Sequence, residues 1–170
     1  MLQIATSKIH WDSISSYLID PNVSEERAVF GFASIEPQNR IQLLDWVKME
    51  GDLVDVAYPY HIALSDKARQ SIIKHAHDHN LALIEFHSHP LSSFAQFSFS
   101  DLAGFDEWVP HVMWRLPERP YIAVVKAVEN FDALYWETKG SSPRSELEFH
   151  VGDSVLTPTG FTIEGLASNE

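Results

Sequence analysis

The sequence predicts an α/β sandwich, a mixed β-sheet flanked by helices. Three observations carry this. Apolar segments of strand length recur along the chain, residues 27–35 and 121–127 among them. Between them lie segments whose apolar residues fall at helical spacing, as Ala68, Ile72, Ile73 and Ala76 do. Several neighbouring strands are joined by segments of turn length, so hairpins and helices are interspersed.

The elements follow in order. Residues 2–5 form a short edge strand. Ile9, Trp11, Ile14, Tyr17 and Leu18 approximate helical spacing and stop before Asp20-Pro21-Asn22. Residues 27–35, RAVFGFASI, are a strand, and a turn at Pro37-Gln38-Asn39 leads to the next at 40–49. Residues 54–62 are a further extended piece. Ser65-Asp66 caps a helix that ends near Asn80. The apolar run 81–84 is a buried strand. A helix follows from Asp101 to about Trp108, with Pro110 disrupting it. Trp108 and Trp114 are expected in the core. Residues 121–127 pair with 133–136 across a turn. In the tail, 141–170, residues 148–163 form a last hairpin around Gly152-Asp153.

Composition narrows the function. A chain of 170 residues is expected to form one domain, residues 1–170, with a real hydrophobic core. The net charge of −12 argues against nucleic acid as a partner. No cysteine is present, which excludes disulfides, thiolate zinc ligation and a cysteine nucleophile. The first residues, MLQIATSKIHWDS, lack a basic segment followed by an apolar run. No stretch approaches the roughly 18 apolar residues of a membrane span. A cytoplasmic protein without membrane contact is the expectation.

The chemistry concentrates in residues 85–101, EFHSHPLSSFAQFSFSD. Side chains alternate along a strand, so His87 and His89 point the same way. Two imidazoles about 6.7 Å apart at the backbone can converge on one metal. Glu85 shares their face but lies about 13 Å from His89 along the strand. A third ligand must come from elsewhere, and Asp101 is the nearest good candidate. Two histidines and one aspartate leave a tetrahedral zinc with one position for water, as in catalytic sites. Ser98 and Asp101 also have the form of a capping box, and the two readings are compatible.

HSHP followed by S-x-x-D resembles the JAMM motif of the JAB/MPN metalloproteases. That family also has an upstream glutamate in a stretch like E-x-x-G-L-x-x-G. Residues 26–33, ERAVFGFA, are similar, with Val29 and Ala33 at the two glycine positions. The resemblance spans residues 2–136 and leaves 141–170 as a C-terminal extension. Here the loop between the second histidine and the serine is one residue longer than the family's. Keeping the family's count would put Phe97 and Ser100 in the serine and aspartate places, where neither has the right chemistry.

The resemblance implies a curved mixed sheet of the JAB/MPN, cytidine-deaminase-like kind. It implies a zinc-dependent peptidase or isopeptidase with about one Zn2+ per chain, held by His87, His89 and Asp101. Glu26 would act as the general base, with Glu25 as its adjacent rival on the opposite face. Ser98 would donate to the oxyanion. The implied substrate is a ubiquitin-like protein or its conjugates, with the C-terminal tail added as a strand to the sheet beside the metal. The alternatives are an amide hydrolase for small peptides or sulfur-carrier conjugates, and a non-catalytic scaffold. His75, His77 and His79 are expected to lie at a solvated helix end, where the dipole favours cations, rather than to form a second metal site.

Overall fold

The computed structural model describes residues 1–168. β1 (Leu2–Thr6) leads into α1 (Lys8–Leu18), whose N-cap Ser7 accepts from the His10 amide at 3.1 Å. β2 (Ala28–Glu36) and β3 (Arg40–Met49) form an antiparallel hairpin. Its turn holds Gln38 and Asn39 at φ 64° and 58°, a conformation asparagine tolerates better than most residues. A 3-10 turn at Gly51–Leu53 precedes a second hairpin, β4 (Val54–Tyr58) with β5 (His61–Leu64). Then come α2 (Asp66–Asp78), β6 (Ala82–Ser88) and α3 (Phe99–Arg115). The chain closes with β7 (Tyr121–Lys126), β8 (Phe131–Trp136), β9 (Leu147–Val151), β10 (Ser154–Leu156) and α4 (Phe161–Ala167).

The main sheet is mixed and has eight strands, in the order β10-β9-β1-β3-β2-β6-β7-β8. β1 runs parallel to both β3 and β9, and β6 runs parallel to β7 across α3. The other neighbours are antiparallel. Helices cover both faces, so each inner strand is buried twice. On β6, Leu83 packs with Ile72, Ile73, Val109 and Val112 of α2 and α3. Ile84 and Phe86 point the other way and pack with Ile14, Leu18 and Phe149 on the α1 side. This alternation sets the direction of everything further along β6.

Several expectations change. β1 is an interior strand, because β9 arrives from the far end of the chain and covers its open side. The extended piece 54–62 is bent at Pro59-Tyr60 into two strands. α3 continues through Pro110 for five more residues, to Arg115. Proline costs a helix about 3 kcal/mol, and burying each large apolar side chain returns about 1.5–3 kcal/mol. Val109, Val112 and Met113 are all buried on that turn, so packing outweighs the lost hydrogen bond. Trp108 packs partly against the core as expected, but Trp114 is 63% exposed. The last hairpin stops at Leu156, and residues 161–167 are helical instead.

Candidate metal centre

His87 is the sixth residue of β6, and His89 follows the strand's end. The His89 amide donates to the Lys126 carbonyl at 2.8 Å, which prolongs the pairing with β7. Both side chains therefore leave the same face, and their ring centroids are 5.1 Å apart. Asp101 meets them from α3. Its Oδ2 lies 3.4 Å from His87 Nε2 and 3.2 Å from His89 Nε2. One ligand atom from each residue falls within 4.8 Å of the others. Ligand atoms around a tetrahedral zinc are about 3.3 Å apart, given metal–ligand bonds of about 2.0–2.2 Å.

His87 supplies the test of fit. It is 3% exposed, and neither ring nitrogen has a hydrogen-bond partner. A buried imidazole without partners is costly, and a cation held with Asp101 would satisfy its Nε2. The donor set, two imidazoles and one carboxylate, could hold a metal ion and suits several divalent transition metals. In the absence of an ion, a proton takes its place. Burial works against a charged His87, but the Asp101 and Glu85 carboxylates outweigh it and push its pKa up to about 10. Burial likewise raises Asp101, and the His87 charge with the hydrogen bonds it receives holds it well below the usual carboxylate range.

Asp101 is set in place by the start of α3. Ser98 is the N-cap and its Oγ accepts from the Asp101 amide at 3.1 Å. The Ser98 amide in turn donates to Asp101 Oδ2 at 2.7 Å. The capping box is thus present, and it holds the same oxygen that faces the two histidines. The longer loop is absorbed before Ser98, which keeps Ser98 and Asp101 at the site and leaves Ser100 exposed and Phe97 buried.

Glu26 lies two residues before β2, and its amide donates to the Tyr58 carbonyl at 2.9 Å. Its carboxylate is buried, with Oε1 3.6 Å from His89 Nε2. Burial pushes its pKa up to about 7; the two histidines pull it down and Asp101 pushes it up. Glu25 is exposed. Glu26 thus joins His87, His89 and Asp101 around one point, with Ser98 capping the helix that carries Asp101.

Glu85 is the residue whose place the spacing argument undervalued. It is far from His89 but reaches His87, with Oε1 3.7 Å from Nδ1. Its other oxygen accepts from the Tyr121 hydroxyl, which itself accepts from Trp108 Nε1 at 2.7 Å. Carboxylates in this position commonly orient a metal-binding histidine. Its place two residues before His87 was visible; its reach depended on how the side chains lean along β6. A cleft of about 1310 Å³ includes Glu85, His87 and Asp101 in its lining, with walls from β5, α2 and α3. His75, His77 and His79 are exposed at the end of α2, where His75 meets Phe32 edge to face. Among the described residues they form no metal group of three.

No family model and no curated protein matches the sequence. Among solved structures, the chain is similar to the solution structure of protein DSY2949 from Desulfitobacterium hafniense, with a TM-score of 0.50 and 14% identity. The match covers 87% of this chain and 93% of that one. It supports the arrangement of the fold and carries no chemistry. The class defined by fold and site together is a mixed α/β protein with a half-buried His–His–Asp group that could hold a metal ion. Among the described residues, no helix is long and apolar enough to cross a membrane.

Proposed function

We propose that this chain is a zinc-dependent peptidase or isopeptidase of the JAB/MPN kind. We propose further that it cleaves at the C-terminal tail of a ubiquitin-like protein. The observation that carries the proposal is the convergence of Glu26 on the His87–His89–Asp101 group from a separate part of the chain. A metal store needs the three ligands; a hydrolase also needs a proton acceptor beside them. A zinc ion bound there would polarise the scissile carbonyl and lower the pKa of a bound water to about 7. Glu26 Oε1 takes the attacking water's proton and returns it to the leaving amine. The Ser98 hydroxyl accepts from the Asp101 amide, which leaves its own proton for the developing oxyanion.

The substrate tail needs an open strand edge. β6 has none, because β2 and β7 flank it. β5 pairs with β4 on one side, and its residues line the cleft beside His87 and Asp101. An extended tail can add there as a third strand. The test compares a ubiquitin-like protein fused through its C-terminus to a reporter with a short peptide of the same tail. Faster cleavage of the fusion is expected. Equal rates would favour a small-peptide amide hydrolase. No cleavage of either, with zinc bound, would favour a scaffold.

A further inference from the structure

The C-terminal segment that follows β10 is tied to the loop ahead of Ser98 by a buried polar chain. Asp132, on β8, is 0% exposed. Its Oδ1 accepts from the Gly160 amide at 2.9 Å and from its neighbour, the Ala133 amide, at 3.0 Å. Its Oδ2 accepts from the Thr162 amide at 3.0 Å and the Thr162 hydroxyl at 2.6 Å. The Thr162 Oγ1 then accepts from the Phe97 amide at 3.0 Å. Thr162 is itself 2% exposed, so this chain lies away from water.

Two further bonds hold the same loop. The Ala95 amide donates to Asn130 Oδ1 at 2.7 Å, and the Thr159 hydroxyl donates to the Ala95 carbonyl at 3.1 Å. Residues 95 and 97 are therefore fixed from the side opposite the site. Phe97 carries that constraint inward, its ring packed against His87 at 5.6 Å and Phe105 at 5.4 Å between centroids. The next peptide unit bears the Ser98 amide, the donor to Asp101 Oδ2. A rotation at Phe97 would turn that amide and release the ligand oxygen.

We infer that Asp132 and Thr162 are positioning residues, which hold the Ser98–Asp101 turn in register with the histidines through the Phe97 amide. The inference rests on reading His87, His89 and Asp101 as a metal centre. It gives the C-terminal extension a function: the extension locks the long loop whose last residues precede the cap. A buried carboxylate with four donors is a rigid anchor.

Zinc affinity, measured by competition with a chromogenic chelator, tests this without any substrate. Amide hydrogen exchange over residues 95–101 is followed in parallel. Thr162→Val keeps the shape and removes the hydroxyl; Thr162→Ser keeps the hydroxyl. Thr162→Val should weaken zinc binding about tenfold, the smaller end of the effect of outer partners on metal sites. It should also lose protection at Phe97 and Ser98, and Thr162→Ser should restore both. If Thr162→Val does not fold, Thr159→Val, which frees the Ala95 carbonyl and the Phe161 amide, should show the same loss in smaller measure. Unchanged zinc affinity in the folded variants overturns the inference, whatever the exchange shows. A wild-type protein that binds no zinc overturns the metal centre itself, which separates the two failures.

Discussion

Glu25 and Glu26 are the same chemical group one position apart, and the chain bends so that only Glu26 is buried beside His89. Replacing Glu26 with glutamine keeps the shape and removes the proton acceptor. Zinc content should stay unchanged while turnover falls about 10²–10⁴-fold. If Glu25→Gln has that effect and Glu26→Gln does not, the base lies one residue earlier. Ser98 caps α3, and under the proposed mechanism it also donates to the oxyanion, so one substitution removes both. Ser98→Ala should lower stability by about 1 kcal/mol through the lost cap. It should also lower turnover about 10²–10³-fold through the lost oxyanion donor. Loss of stability alone, read by thermal melting beside kinetics, would leave only the cap.

At the scale of elements, β6 and α3 divide the work. β6 and the residue just past its end set His87 and His89 on one face, and α3 brings Asp101 to them from its first turn. α3 can hold Asp101 still only because its middle is packed; Phe105, Val109 and Val112 are buried against the sheet. β2 packs between β6 and β3, and Gly31 is its point of closest approach. A Cβ there would sit 2.6 Å from Leu43 Cδ1 and 3.4 Å from the Phe86 ring. Gly31→Ala should therefore destabilise the protein by about 1–3 kcal/mol, read as a shift in denaturation midpoint. A neutral result would mean that Leu43 has another rotamer to adopt.

For the whole molecule, a metal held by this group would compete with the proton on His87. His87 has a folded pKa of about 10 against an ordinary 6.5. Its stabilising contribution is full below the ordinary value and is lost as pH rises through the folded one. Glu26 behaves likewise between 4.5 and about 7. Asp101 works in reverse, contributing above 3.8 and losing that as pH falls. Metal-free protein should thus melt at progressively lower temperature from about pH 5 to pH 9. Zinc replaces the proton, so its stabilisation should grow over the same range. At about 1,000 times its dissociation constant, it should raise the melting temperature by about 10 °C. His87→Ala should abolish that shift. A rise that persists in His87→Ala would place the zinc elsewhere.

The sequence by itself determined the α/β class, most strands and three helices, because periodicity and caps are local signals. It also placed His87 and His89 on one face, since strand alternation fixes their common direction. Asp101 was readable as the nearest acidic side chain that could join them. Tertiary structure decided the rest. β1 lies inside the sheet because β9, some 140 residues later, pairs with it at the register Leu2↔Leu147. α3 passes through Pro110 because burial on the sheet outweighs a local propensity. Glu85 reaches His87, and Thr162 reaches Phe97 across 65 positions, through side-chain directions and long-range contacts that no local pattern encodes. Spacing along one element can be read from a chain, whereas contacts between distant elements exist only once the core has set their distance.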